Sequence, residues 1–482
     1  MNEAMANRLT TGIPGLDEIL GGGLVPQYAY LVRGGPGAGK TTLGLHFLAT
    51  GAARGETALF ISLEEAESKI RRNAARVGID LSKVHILDLS PSSDFFAKTE
   101  IYDIFSPAEV EREPLTRQIV ETVQRLRPSR VFFDPITQFR YLTPDVFQFR
   151  KQVISFLRFL AEQQTTVIFS AENSPAFPDD DLQYVADGII TLELTQSGRY
   201  LSVSKMRGSS FISGRHAMRL TDNGLQVFPR IIPSPLIAGH AFTPIPSGVP
   251  ELDELLNGGI ERGTITLITG PSGVGKTTLG FQFMKEAASR GERSIVFSFE
   301  EEVEIMLQRC EAVNIPVRAM QAQRLLRVEK IEPLQYNPDE FAQYVRHCVE
   351  QDQIKVIMID SVTGYRLCMQ GEDLISQLHA LSKYLQSRGI TVILIMDTNS
   401  IVGDFQVTDI GASYLGDNII FLRFLEIDGE LRKAIGVLKK RLGDFEKALR
   451  EFAISRYGIK VGKPLTNLRG ILAGIPTWID KP

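Results

Sequence analysis

The chain has 482 residues, 43% hydrophobic and 23% charged, with 53 Lys and Arg against 57 Asp and Glu. That length exceeds one ordinary core and predicts two or three domains of soluble, globular character. A formal net charge of -4 excludes a global attraction to nucleic acid or anionic membrane and leaves only a local basic surface open.

The chain starts Met1-Asn2-Glu3-Ala4-Met5, without the basic and apolar regions of a signal peptide. No apolar run approaches the roughly 20 residues that span a bilayer, so a cytoplasmic protein is expected. Its three cysteines, Cys310, Cys348 and Cys368, lack metal-ligand spacing and suit a reducing compartment and packing roles.

Reading onward, Thr11-Gly12-Ile13-Pro14-Gly15-Leu16-Asp17-Glu18 returns as Ser247-Gly248-Val249-Pro250-Glu251-Leu252-Asp253-Glu254, a shift of 236 residues. A repeat this long reads as duplication of a whole domain. The apolar strand Ala29-Tyr30-Leu31-Val32 then runs into Gly34-Gly35-Pro36-Gly37-Ala38-Gly39-Lys40-Thr41-Thr42, and Ile265-Thr266-Leu267-Ile268 runs into Gly270-Pro271-Ser272-Gly273-Val274-Gly275-Lys276-Thr277-Thr278, again 236 residues on. Both are Walker A loops between a strand and a helix. Polyphosphate can lie against main-chain N–H groups only where no Cβ intrudes, and the following helix adds its positive end. Residues 35–42 and 271–278 are therefore the expected ATP cradles. Lys40 and Lys276 are expected at the β and γ phosphates, and the Thr41 and Thr277 hydroxyls on Mg²⁺.

Each half next carries a strand ending in acids, Leu59-Phe60-Ile61-Ser62-Leu63-Glu64-Glu65 and Ile295-Val296-Phe297-Ser298-Phe299-Glu300-Glu301. A carboxylate at that edge can orient the attacking water, or the acids can complement the dipole of a helix beginning at Ala66 or Val303. Recurrence favours catalysis for at least one of each pair, Glu64 or Glu65 and Glu300 or Glu301. A later apolar strand ends in Asp134 in one half and Asp360 in the other, the Walker B position that holds Mg²⁺. Thr137, Thr363, Asn173 and Asn399 follow these strands, either as γ-phosphate or water contacts or as turn caps. Helix patterns over 153–164 and 374–388 lead to the strands Thr166-Val167-Ile168-Phe169-Ser170 and Thr391-Val392-Ile393-Leu394-Ile395. Alternating strands and helices, with strands apolar throughout, predict an α/β fold with a mostly parallel sheet and helices on both faces.

Lys205-Met206-Arg207 and Lys439-Lys440-Arg441 repeat a Lys-x-Arg pattern 234 residues apart. They sit too far along the chain for the same pocket. Lys205, Arg207, Lys439 and Arg441 are inferred to reach the ATP of an adjacent subunit, the alternative being a solvated basic turn. Subunits meeting head to tail close into rings. Prolines over 228–247 mark an extended connector, which gives domains at 1–230 and 247–482 with a linker at 231–246. The segments 174–188 and 400–417 hold no Lys or Arg, and the first holds Asp179-Asp180-Asp181. That argues against a RecA-like enzyme moving on DNA, whose pore loops need cations. A third reading is a nucleotide-gated scaffold without turnover.

With these elements placed, the chain resembles the KaiC family of clock ATPases and autokinases, within the wider RecA/RadA/DnaB class. The resemblance is carried in both halves by Thr11-Gly12-Ile13-Pro14-Gly15-Leu16-Asp17, by the paired acids, and by Lys447-Ala448-Leu449-Arg450-Glu451-Phe452. It implies tandem RecA-like P-loop domains in a double-ring homohexamer with ATP and Mg²⁺ at subunit interfaces. It also implies slow hydrolysis in the first ring and serine/threonine self-phosphorylation in the second. By the same resemblance, Ser413 and Tyr414 fall at the phosphoacceptor positions, Thr408 at a supporting threonine, and Glu300 or Glu301 at the base. Tyr414 departs from the usual threonine or serine, because its phenol is longer and less basic. The chain stops at Pro482, soon after Asn467-Leu468-Arg469-Gly470-Ile471-Leu472, which argues against regulation by a KaiA-like partner. A KaiB-like partner for the first ring stays open.

Overall fold

The computed structural model describes residues 8–91, 108–142, 145–172, 179–233, 243–369, 373–398, 414–427, 429–466, 468–469 and 477–478. The chain divides into two units, Met1–Arg230 and Ile231–Pro482. Among the described residues no helix is long and apolar enough to cross a membrane.

The first unit is built on β1 (Ala29–Gly34), β2 (Ala58–Ser62), β3 (His85–Asp88), β4 (Arg130–Asp134), β5 (Thr166–Glu172), β6 (Gly188–Thr195), β7 (Gly198–Met206), β8 (Arg215–Thr221) and β9 (Gly224–Phe228). They form one sheet in the order β3-β2-β4-β5-β1-β6-β7-β8-β9. Strands β3 to β6 of that order pair parallel, and β6 to β9 pair antiparallel. Successive side chains of a strand point to opposite faces, and two separate cores follow. Val32, Phe60, Phe132 and Ile168 pack with Leu43 and Phe47 of the helix Lys40–Ala53. Leu31, Leu59, Val131, Phe133 and Phe169 pack with Ile119, Val153 and Leu157 of the helices Ala108–Leu126 and Val146–Glu162 on the other face. Each such side chain, fully buried, contributes roughly 1.5–3 kcal/mol.

The second unit opens with β10 (Pro244–Ile245) paired to β11 (Ile260–Glu261), so this end of the proline-rich segment is built into the domain. Its sheet comprises β12 (Ile265–Gly270), β13 (Ser294–Ser298), β14 (Leu326–Lys330), β15 (Val356–Asp360), β16 (Thr391–Asp397), β17 (Asn418–Ile427), β18 (Glu430–Lys440), β19 (Arg450–Ser455) and β20 (Gly458–Pro464). The order β14-β13-β15-β16-β12-β17-β18-β19-β20 repeats the first unit strand for strand.

Three details depart from the sequence reading. The helix expected over 153–164 spans Val146–Glu162, because the Asp145 carboxylate caps it by accepting from Gln148 N at 2.8 Å. Strands β5 and β16 each run two residues beyond the predicted Ser170 and Ile395. The hairpin strands β8, β9, β19 and β20 bury side chains in broken alternation and lie outside the apolar runs that sequence patterning picks out. The segment shared by the two halves near Gly12 and Gly248 is structural. Asp17 accepts from Thr11 N and Thr11 Oγ1, both at 2.7 Å, and Asp253 accepts from Ser247 N and Oγ at 2.6 and 2.7 Å.

Candidate nucleotide site

In both units the central strand, β1 or β12, ends at the turn that becomes the P-loop helix. The residue capping each helix, Gly39 or Gly275, is in the left-handed region, with φ 111° and 117°, where a side chain is strained. The helix lies tight on the sheet. A Cβ at Gly44 would come within 2.4 Å of the Phe132 ring, and one at Gly280 within 2.3 Å of Met358 Sδ. Glycine at these places brings the helix N-terminus and the strand end together, leaving main-chain N–H groups free to face an anion.

Lys40 Nζ donates to Gly34 O at 2.8 Å and Gly35 O at 3.1 Å. Burial pulls its ammonium below the ordinary lysine range, opposed by Asp134 and then Glu172. Lys276 Nζ donates to Pro271 O at 2.9 Å and pairs with Asp397 Oδ1 at 2.7 Å. One step along the helix, the Thr41 hydroxyl donates to Asp134 Oδ2 at 2.6 Å, and Thr277 to Asp360 Oδ2 at 2.9 Å. A hydroxyl beside a carboxylate is a hard-oxygen donor set that suits Mg²⁺, which binds few protein ligands and keeps several waters. Burial raises both carboxyls, Asp360 to about 6; Ser170 and Thr41 oppose the rise at Asp134, Thr277 and Arg309 at Asp360.

The paired acids split by role. Glu64 Oε1 accepts from Gln138 Nε2, and Glu300 Oε1 from Ser361 Oγ, so each is held to the turn that follows the Walker B strand. Glu65 pairs with Lys69 and Glu301 with Arg309, both at 2.6 Å, on their own helices. Ser62 and Ser298 fix the intervening turn by donating to the Glu65 and Glu301 carbonyls at 2.7 Å. In the second unit Ser272, Lys276, Thr277, Glu300, Glu301, Asp360 and Asp397 line one cavity of about 420 Å³. The P-loop, the Thr277 hydroxyl and the carboxylates of Glu300, Glu301, Asp360 and Asp397 thus face one volume, an arrangement that phosphoryl transfer could use.

The Lys-x-Arg cations lie elsewhere. Lys205 Nζ donates to Gln183 O at 3.0 Å, Arg207 pairs with Asp187 at 2.9 Å, Lys439 donates to Gly416 O at 2.6 Å, and Arg441 pairs with Asp417 at 3.0 Å. Burial, followed by the adjacent arginine, lowers Lys205 and Lys439. Tyr414 is half exposed, with its ring edge-on to His379 at 5.3 Å. Asn173, Asn399, Thr408 and Ser413 lie outside the described residues. Two of the three acids at 179–181 are paired, Asp179 with Arg33 at 2.7 Å and Asp181 with Arg140 at 2.7 Å.

Sequence reasoning missed several neighbours of the cradle. Arg199 on β7 donates to Gly37 O, and Lys433 on β18 to Gly273 O at 3.2 Å, each reaching the P-loop of its own chain. They recur at the 234-residue shift of the Lys-x-Arg pattern, which was the available signal. Ser170 donates to Asp134. Glu172 and Asp397, the last residues of β5 and β16, stand in register with Gly34 and Gly270.

A family model described as "ATPase: KaiC" matches residues 9–231 and again 245–466. The chain is 28% identical to the circadian clock oscillator protein KaiC of Synechococcus elongatus, covering 98% of this chain and 92% of that one. It is 27% identical to the KaiC of Parasynechococcus marenigrum, covering 98% and 94%. Identity to the circadian clock protein KaiC3 of a Synechocystis is also 27%, covering 98% and 95%.

Proposed function

The chain belongs to the KaiC family of ATPases, whose domain it carries twice, and from that premise we propose an ATP-hydrolysing double-ring protein that phosphorylates itself on serine in its second domain. The observation that carries this reading is the doubled constellation in which a Walker A threonine bonds a half-buried Walker B aspartate and a neighbouring glutamate is held to the same turn.

In each domain the P-loop amides and Lys40 or Lys276 bind the triphosphate, while Thr41 with Asp134 and Thr277 with Asp360 hold Mg²⁺. When bound, Mg²⁺ neutralises charge on the β and γ oxygens. Glu64 takes the proton of the attacking water in the first domain. Glu300 takes the hydroxyl proton of Ser413 in the second, so that serine oxygen bonds to phosphorus as the bond to ADP breaks. Tyr414 is the second acceptor position, with a phenol less suited than serine to that geometry. Lys205, Arg207, Lys439 and Arg441 complete the site of the next subunit in a homohexamer, exchanging their present carbonyl and carboxylate partners for phosphate. A role in timing is supported by the circadian-clock names of the relatives, and a KaiB-like partner on the first ring is part of the same proposal.

The test is incubation of the full chain with γ-labelled ATP and Mg²⁺, followed by mapping of the label. The expected result is label on Ser413 that disappears in Glu300→Gln. Phosphate release without labelled protein would reduce the function to an ATPase.

A further inference from the structure

Lys276 and Lys40 occupy equivalent places but keep different company. Lys276 is buried, 6% exposed, and its ammonium sits 2.7 Å from the Asp397 carboxylate, itself 28% exposed at the wall of the nucleotide cavity. Asp397 ends β16 beside Gly270, the first residue of the P-loop, and Thr398 N donates to Gly270 O at 3.2 Å, which fixes the strand end against the loop. In the first domain the same register position, opposite Gly34, is Glu172. That side chain is exposed, and Lys40 turns instead to Gly34 O and Gly35 O. Among the described residues Lys40 forms no ion pair. One methylene separates the two acids, and the shorter one reaches the lysine.

We propose that Asp397 is a nucleotide-specificity residue: it competes with the γ phosphate for Lys276 and so narrows the second domain's preference for ATP over ADP. The inference rests on the reading of both P-loops as nucleotide sites. A γ phosphate placed at Lys276 must share the ammonium with Asp397 and brings its own negative charge next to that carboxylate. Both effects oppose ATP. A diphosphate draws on Lys276 through its β phosphate alone and brings no γ charge next to Asp397, so ADP is opposed less. In Asp397→Asn the charge is gone at nearly the same shape, and a buried lysine without a carboxylate gains more from phosphate. The first domain, without the pair, discriminates more strongly.

The experiment uses the full chain with one site silenced. In a Lys40→Ala background, displacement of a fluorescent ADP by ATP and by ADP is followed by stopped flow before turnover. Asp397→Asn is expected to tighten ATP by about tenfold and ADP by less than about threefold. The reciprocal variant, Glu172→Asp in a Lys276→Ala background, is expected to lower the first domain's ATP-to-ADP preference. Because it builds the pair in the other domain, it does not depend on how well the Asp397 variant folds. Equal changes for ATP and ADP in both variants, or none, overturn the proposal and leave the P-loop reading standing. Nucleotide uptake that survives in the double variant Lys40→Ala, Lys276→Ala overturns the P-loop reading itself.

Discussion

Asp134 and Asp360 stand at the same strand end of two domains with identical sheet order, yet their surroundings differ. Asp134 accepts from two hydroxyls, Thr41 and Ser170, and lies near the free charge of Lys40. Asp360 accepts from Thr277, its β16 neighbour at the Ser170 position is the buried Ile395, and Lys276 is drawn to Asp397. Burial, with a smaller push from the like charges of Glu300 and Asp397, raises the Asp360 carboxyl to about 6. Two copies of one backbone therefore surround the equivalent aspartate with different groups, because the side chains one layer away differ.

The sharpest way to break this comparison is to remove the bases one domain at a time. Glu64→Gln is expected to cut phosphate release by the first domain by roughly 10²–10⁴-fold, and Glu300→Gln to cut labelling of Ser413 by a similar factor. Each loss should leave the other domain's activity in place, as read by phosphate release and by mass spectrometry. If one variant silences both outputs, the domains do not act as separate sites.

A large effect on stability should also be one-sided. Arg130 of β4 is fully buried, pairs with Glu56 through Nε at 2.6 Å and NH2 at 3.0 Å, and donates to Thr10 O at 2.7 Å and Phe47 O at 3.0 Å. The equivalent residue of β15 is Val356. Arg130→Ala strands the partners of a buried cation and is expected to cost the first domain about 3–5 kcal/mol. Val356→Ala should cost the second about 2 kcal/mol in lost burial and cavity. Hydrogen exchange on peptides from each domain measures both.

Smaller effects test the metal sites. Ser170→Ala withdraws a hydrogen bond that favours ionised Asp134 and should raise the pH midpoint of Mg²⁺-dependent nucleotide binding, read in Lys276→Ala protein. With Mg²⁺ held at Asp360 as proposed, the metal would compete there with a proton. That carboxyl is neutral below its raised pKa, so Mg²⁺ affinity should fall several-fold as pH drops through about 6. More Mg²⁺ should move the midpoint lower. A pH-independent Mg²⁺ affinity across that range would contradict the buried, weakly supported carboxylate.

The Walker loops, the terminal aspartates and the 236-residue repeat were legible because each is local: a glycine-lined turn, a strand end, an apolar run. The same holds for the parallel core, whose strands are apolar on both faces and stand out from the chain around them. Arg199 and Lys433 were not legible, although they recur, because they reach the P-loop only after β7 and β18 join the sheet antiparallel and cover its edge. Ser170 reads as an ordinary strand residue until β4 and β5 pair side by side.

By itself, then, the order of residues determined two P-loop modules of one fold, since glycine conformation, strand burial and helix ends follow from short-range sterics. Only the tertiary structure decided which partner each lysine and each glutamate takes: Lys276 with Asp397 but Lys40 with its own loop, Glu300 with Ser361 but Glu64 with Gln138. All but the Lys40 pairing join residues far apart in the chain, and Coulomb and hydrogen-bond energies depend on distances that exist only once the sheet has assembled.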